Sequence, residues 1–253
     1  VVCAPAEDSP VLVPAFLDAV QRDLDDDPVQ FEMSGTVLTL ADGIIATATF
    51  DEDEEPLRWV RTQCDLNGIA PSSRLLRGPC YTVAVLDGQE SEENREGLAE
   101  DALLFEGLGP RSVRLVWAPR GLDPDPYFDA FAQFRGVFPA HADTPGALQM
   151  QKAFLAAADA PHAYGEGLEF LISRGPPEVQ ASGHIRWVAY DALPEVIEWM
   201  AGAADHLQNV VARAGVLDTV SGRIDGVLPG QMHRPTLGQS VCGHAVLPFL
   251  RSL

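Results

Sequence analysis

Short runs of β-branched and aliphatic residues alternate with segments of helical period along the chain. This alternation limits the fold to helices layered on sheets. Val1–Ala6 (VVCAPA) reads as a short buried strand. Pro14 opens a helix with Phe16, Leu17, Val20 and Leu24 at helical spacing, stopped by an acidic run and Pro28. Thr36–Leu40 and Ile44–Phe50 follow as two strands across Ala41-Asp42-Gly43, and Asp-Gly between such runs signals a hairpin. Pro56 to Leu66 forms a helix with Leu57, Val60 and Cys64 inward and Gly68 at its end, and Tyr81–Leu86 is the next strand. The order β-α-β-β-α-β is that of a ferredoxin-like unit.

The pattern continues beyond it. Ser91 caps a helix through Leu98, Ala102, Phe105 and Leu108, with acids in its first turn where the helix dipole favours them. Ser112–Ala118 is a strand, and Asp123-Pro124 starts a helix whose Phe128, Phe131 and Phe134 make a core stripe. Thr144-Pro145 starts a helix to about Ala158, and Leu168–Ser173 and His184–Tyr190 are strands. Ala192 to Ala214 reads as one long helix carrying Val196, Met200, Ala203, Leu207 and Val210, capped by Asp191 and ended by Gly215. The expected fold is therefore α+β (mixed α/β): a ferredoxin-like start extended by further αβ units, with helices packed on mixed sheets. At Gly136 to Asp143 the charge density falls and Pro139 breaks the pattern. That divides an acidic lobe 1–138 from a second lobe 139–253, although one continuous domain accommodates the same elements.

Charge narrows the function. The 253 residues carry 17 Lys+Arg against 37 Asp+Glu, a net charge of −20. Nucleic-acid binding needs clustered cations and is excluded. Residues 1–130 hold 26 acidic and 9 basic side chains, net −17, while residues 131–253 hold 11 and 8, net −3. Acidic runs are usually solvated faces. A concentrated acidic face also steers a basic partner, and Asp51, Glu52, Asp53, Glu54, Glu55, Glu92 and Glu93 are the candidate partner-binding residues. No apolar run reaches the length of a membrane span and no signal peptide begins the chain, so membrane binding is not expected and the expected location is cytoplasmic.

Familiar catalytic and cofactor motifs are missing. Cys3, Cys64, Cys80 and Cys242 form no CxxC, so free thiols are expected, and the lone pair Cys242/His244 is too small for a metal site. No phosphate loop, dinucleotide fingerprint, GxSxG or HExxH occurs, and neither a metal nor a cofactor is expected. Arg120, at the end of a strand, is the best candidate for a small-ligand residue, with an ion pair to Asp123 or Asp125 as its competing role. His184 and His206 are the other candidates, His206 also reading as a half-buried helix residue.

Four segments resemble an uncharacterised bacterial family of acidic α+β proteins: VVCAPA, LTLADGIIATATF, CYTVAVLD and SVRLVWAPRGLDPDPYF. The resemblance implies no activity, but it points towards toxin-immunity and secretion settings. The leading expectation is a non-enzymatic acidic protein-binding module, an immunity or inhibitor protein for a basic toxin or effector. Two alternatives stay open: a small-molecule-binding domain or enzyme with an unrecognised site, and a structural subunit of a larger bacterial assembly. A polar pocket containing Arg120, His184 or His206 separates the first alternative from the leading reading.

Overall fold

The computed structural model describes residues 2–3, 30–31, 41, 43–47, 55–222, 224–236, 239–240, 243 and 246–252. The chain forms two compact units, residues 1–78 with 247–253, and residues 79–246. The fall in charge density near residue 138 thus lies inside the second unit. Charge follows exposed helix faces and loops, and it does not mark where a core ends.

In the first unit, β1 (Val2–Cys3) pairs in parallel with β2 (Gln30–Phe31), and β3 (Ile44–Thr47) in parallel with β4 (Arg74–Arg77). Between β3 and β4 lies α1 (Glu55–Leu66), whose Leu57 and Cys64 are buried on one face. Gly68 ends α1 with φ +72, a conformation that glycine adopts without strain. The expected helix from Pro14 and the strand Thr36–Leu40 lie outside the described residues. The α+β class holds, but the ferredoxin-like detail does not: β3 runs parallel to β4, and the strand at residue 81 belongs to a different sheet. A βαβ crossover and a split βαβ unit read alike in sequence, because the pattern records element order and not pairing.

The second unit is built on a seven-stranded sheet of order β11-β10-β5-β6-β9-β8-β7. Its strands are β5 (Tyr81–Val85), β6 (Val113–Pro119), β7 (His162–Tyr164), β8 (Leu171–Arg174), β9 (His184–Tyr190), β10 (Leu207–Val211) and β11 (Gly226–Val227). Neighbours are parallel except β7 against β8. Helices α2 (Glu92–Leu103) and α3 (Asp125–Val137) bury Leu98, Ala102, Leu103 and Phe131 with Ala84 and Val116. A second core joins Val83, Leu115 and Val210 to Val196 and Met200 of α5 (Leu193–Gly202) and Val216 and Val220 of α6 (Ala214–Val220). Alternate residues of each strand supply the two cores, so the sheet is covered on both faces. Helix α4 (Thr144–Ala157) buries Leu148 against Leu168 and Leu171, and α7 (Val246–Ser252) is the last helix described.

Two expected helices end early. The 192–214 segment is not one helix: α5 stops at Gly202, a 3-10 turn covers 204–206, and Leu207–Val211 is β10 with every residue buried. A strand buried on both faces has no alternation, so its apolar residues fell into helical register by coincidence. Helix α2 ends at Leu103, where Phe105 and Glu106 take positive φ and leave Phe105 and Leu108 exposed. Free thiols were expected throughout; Cys64 is free and buried, but Cys80 is disulfide-bonded, since spacing along the chain does not measure distance in space. Among the described residues no helix is long and apolar enough to cross a membrane.

Candidate functional site

Strand β5 lies between β10 and β6. The chain leaves β5 through α2 to reach β6 on one side. Only much later does it return, by way of α5, to lay β10 on the other side. Such a reversal opens a crevice outside the carboxyl ends of the strands, and ligands of open α/β sheets bind there.

The turn after β5 is held rigidly. Glu90 is buried, and its carboxylate accepts the Asp87 N–H at 2.8 Å, the Gly88 N–H at 3.0 Å and the Tyr127 hydroxyl at 2.5 Å. Burial, and then the Glu90 carboxylate, push the Tyr127 phenol well above its ordinary value, so it remains a donor. Tyr190 at the end of β9 donates its hydroxyl to the Leu86 carbonyl at 2.6 Å, tying two strand ends together. Asp87 faces Arg213, the second residue after β10. Arg213 Nε donates to Asp87 Oδ1 at 2.7 Å, its Nη2 donates to Oδ2, and the same Nη2 reaches Gln89 Oε1 at 3.1 Å. The Arg213 guanidinium holds the Asp87 carboxyl below the usual carboxylate range, and Asp87 raises Arg213 in return.

An open cleft of about 490 Å³ lies beside this pair. Gln89 of the β5–α2 connection, with Glu93 and Asn94 of the first turn of α2, lines one side, and Arg213, Ala214 and Gly215 line it at the start of α6. Leu228, Pro229 and Gln231, following β11, form the far wall. Three side-chain amides thus supply donors and acceptors, while Glu93 adds negative charge and Arg213 is already committed to Asp87. A polar, uncharged ligand group fits this lining better than an anion does.

None of the expected ligand residues is in the cleft. Arg120 is exposed and makes a bidentate pair with Asp191, at 2.5 Å from Nε and 2.9 Å from Nη2, in place of Asp123 or Asp125. His206 is exposed in the turn before β10, not half-buried on a helix. His184 lies at the amino end of β9, deeply buried, its Nε2 2.7 Å from Ser173 Oγ and its Nδ1 2.5 Å from Gln151 Oε1. Burial, then the charges of Arg186 and Arg114, lower the His184 imidazole to about 3, so the ring is neutral. The serine–histidine–glutamine series resembles a nucleophile and its base, but Ser173 is sealed from solvent and the chain serves packing. Arg213 was missed because the strand preceding it was read as helix. The signal for Gln89 was present: a strand, a glycine turn and a capped helix in succession.

Of the acidic candidates, Glu92 and Glu93 have a local explanation. Asp51, Glu52, Asp53 and Glu54 lie outside the described residues, and Glu55 is the first residue of α1. Glu92 and Glu93 occupy the first turn of α2, where Ser91 Oγ accepts the Asn94 N–H at 3.2 Å and the helix dipole stabilises carboxylates without any partner.

No family model and no curated protein matches this chain. Solved structures do. Proline utilization A of Bradyrhizobium japonicum is similar with a TM-score of 0.72 and 14% identity, over 97% of this chain and 29% of that one. Indole-3-acetaldehyde dehydrogenase of P. syringae, solved with NAD+ and IAA, gives 0.68 and 11% over 96% and 58%. Methylmalonate-semialdehyde dehydrogenase of Oceanimonas doudoroffii gives 0.67 and 12% over 95% and 57%. This chain therefore has the fold of part of these enzymes and spans under two thirds of their length. The expectation of a non-enzymatic binding module or immunity protein with a basic protein partner is overturned. Nearly the whole chain shares its fold with parts of these enzymes, and Glu92 and Glu93, which suggested a partner, sit in the first turn of α2.

Proposed function

We propose that this chain is an aldehyde-dehydrogenase-like domain that binds a small carbonyl substrate at the carboxyl edge of its sheet. The observation that carries this reading is the cleft at the β5–β10 switch point, within a fold shared with two aldehyde dehydrogenases. The side-chain amides of Gln89 and Asn94 are suited to donate to a carbonyl oxygen, and Gln231 can take a substrate hydroxyl or amide. Asp87 and Arg213 keep the α6 side of the cleft in place.

The fold family implies a nicotinamide dinucleotide, and the described residues do not fit one at this cleft. A pyrophosphate needs free N–H groups and positive field at a helix N-terminus. Here that turn carries Glu92 and Glu93, Ser91 already caps it, and Arg213 is neutralised by Asp87. The reading therefore assigns carbonyl binding, and not cofactor binding, to the cleft.

Calorimetric titration with aliphatic and indolic aldehydes and their carboxylates, each with and without NAD+, tests the proposal. Saturable binding of an aldehyde that Gln89→Ala and Asn94→Ala both weaken supports it. If no carbonyl compound binds, or if binding ignores both substitutions, the proposal fails.

A further inference from the structure

The far wall of the cleft is attached to α2 at a buried carboxylate. Asp101 is wholly buried, and its Oδ2 accepts the Gly230 N–H at 2.7 Å while Oδ1 accepts the Met232 N–H at 3.1 Å. One turn earlier on the same helix face, Gly97 lets this segment lie against the helix. A Cβ there would fall 2.7 Å from Gly230 N and 2.7 Å from the Pro229 carbonyl carbon. Met232 is buried in the core, Arg234 pairs with Glu100 at 2.7 Å, and the His233 ring packs edge-on against Phe105. Leu228, Pro229 and Gln231 reach the cleft from a segment whose neighbouring amides are held by Asp101.

We infer that Asp101 is a positioning residue, a latch that sets the far wall of the cleft and loosens it when the buried carboxyl becomes charged. This rests on the cleft being the binding site proposed above. Burial pushes the Asp101 carboxyl up to about 7, outweighing the two N–H donors and Arg234, with Glu100 adding to the rise. The other groups facing it are His233, held below its ordinary value chiefly by burial, and Arg111, which donates to the Met232 carbonyl at 3.5 Å. The sign follows from linkage. The latched state holds the proton more tightly than the open state, in which the carboxyl meets water, so protonation favours the latch and rising pH releases it.

Hydrogen exchange at residues 228–234, corrected for intrinsic rates, reads the latch directly and needs no ligand. In the unaltered protein, opening of this segment should grow by about tenfold per pH unit as pH rises from about 4 to about 7 and level off above that, while strands β5 and β6 keep their protection. Asp101→Asn, neutral and of the same shape, should flatten that dependence, and Gly97→Ala should open the segment at every pH. The inference fails if the segment shows no pH dependence, if Asp101→Asn retains it, or if β5 and β6 share it. Failure here leaves the aldehyde titration to judge the cleft on its own.

Discussion

His184 stays neutral in the folded chain down to about pH 3, while the unfolded chain protonates the same ring near its ordinary value of 6.5. Between those limits the unfolded state binds more protons, so acidification removes stability, by up to about 1.4 kcal/mol per pH unit. Asp101 works in the opposite sense, its raised value favouring the fold as pH falls from about 7 towards 4. The two effects separate by comparison of variants. His184→Gln, by disturbing Ser173 and Gln151, should cost about 1–3 kcal/mol near neutrality, and that deficit should shrink on acidification in denaturant titrations. A deficit constant with pH would mean that the ring protonates normally. At the Asp87 turn, Tyr127→Phe leaves Glu90 one donor short, and about 1–2 kcal/mol of stability should be lost by the same measurement. Residue roles such as these were only partly legible. Ser91 as a cap and Phe131 as core followed from local rules, whereas the partners of Arg120, His184 and Arg213 lie 11 to 126 positions away, beyond any local pattern.

Helix α2 shows an element whose local signals agree. Ser91 caps it, Glu92 and Glu93 follow, and Leu98 and Ala102 are buried four residues apart. Ser91→Ala should cost about 1 kcal/mol, seen as a lower unfolding midpoint with an unchanged denaturant slope. Strand β10 is the reverse case. Leu207, Val210 and Val211 pass for one helix face because a strand buried on both sides carries no period of two. Leu207→Asp should still cost roughly 3–5 kcal/mol, now by placing a carboxylate in the core beside β5. A variant that melts within a degree or two of the parent would contradict the burial of β10. Strands β5, β6 and β9 were legible within a residue or two, because turn residues bound them. The pairing of those strands was not, since hydrogen-bond partners leave no mark on composition.

Across the molecule the charge of −20 is a standing self-repulsion. Raising salt shortens the screening length to about 3 Å at 1 M, so the melting temperature should climb by a few degrees between low and high salt. A melting temperature that falls with added salt would place attractive pairs, such as Asp87–Arg213, above repulsion in importance. Whole-molecule likeness was the least legible level, since at 11–14% identity the similarity to these solved structures lies in the arrangement of elements and not in motifs. The sheet order has one more consequence. Strand β5 is complete by residue 85, yet its β10 neighbour starts at residue 207, so during synthesis an apolar strand edge waits while some 120 residues are added. A bare edge of that kind recruits strands from other chains. Products truncated before β10 should accumulate as aggregates, while the same truncation with a β10 peptide supplied in trans should remain dispersed. The vulnerable interval in the life of this protein is its own translation.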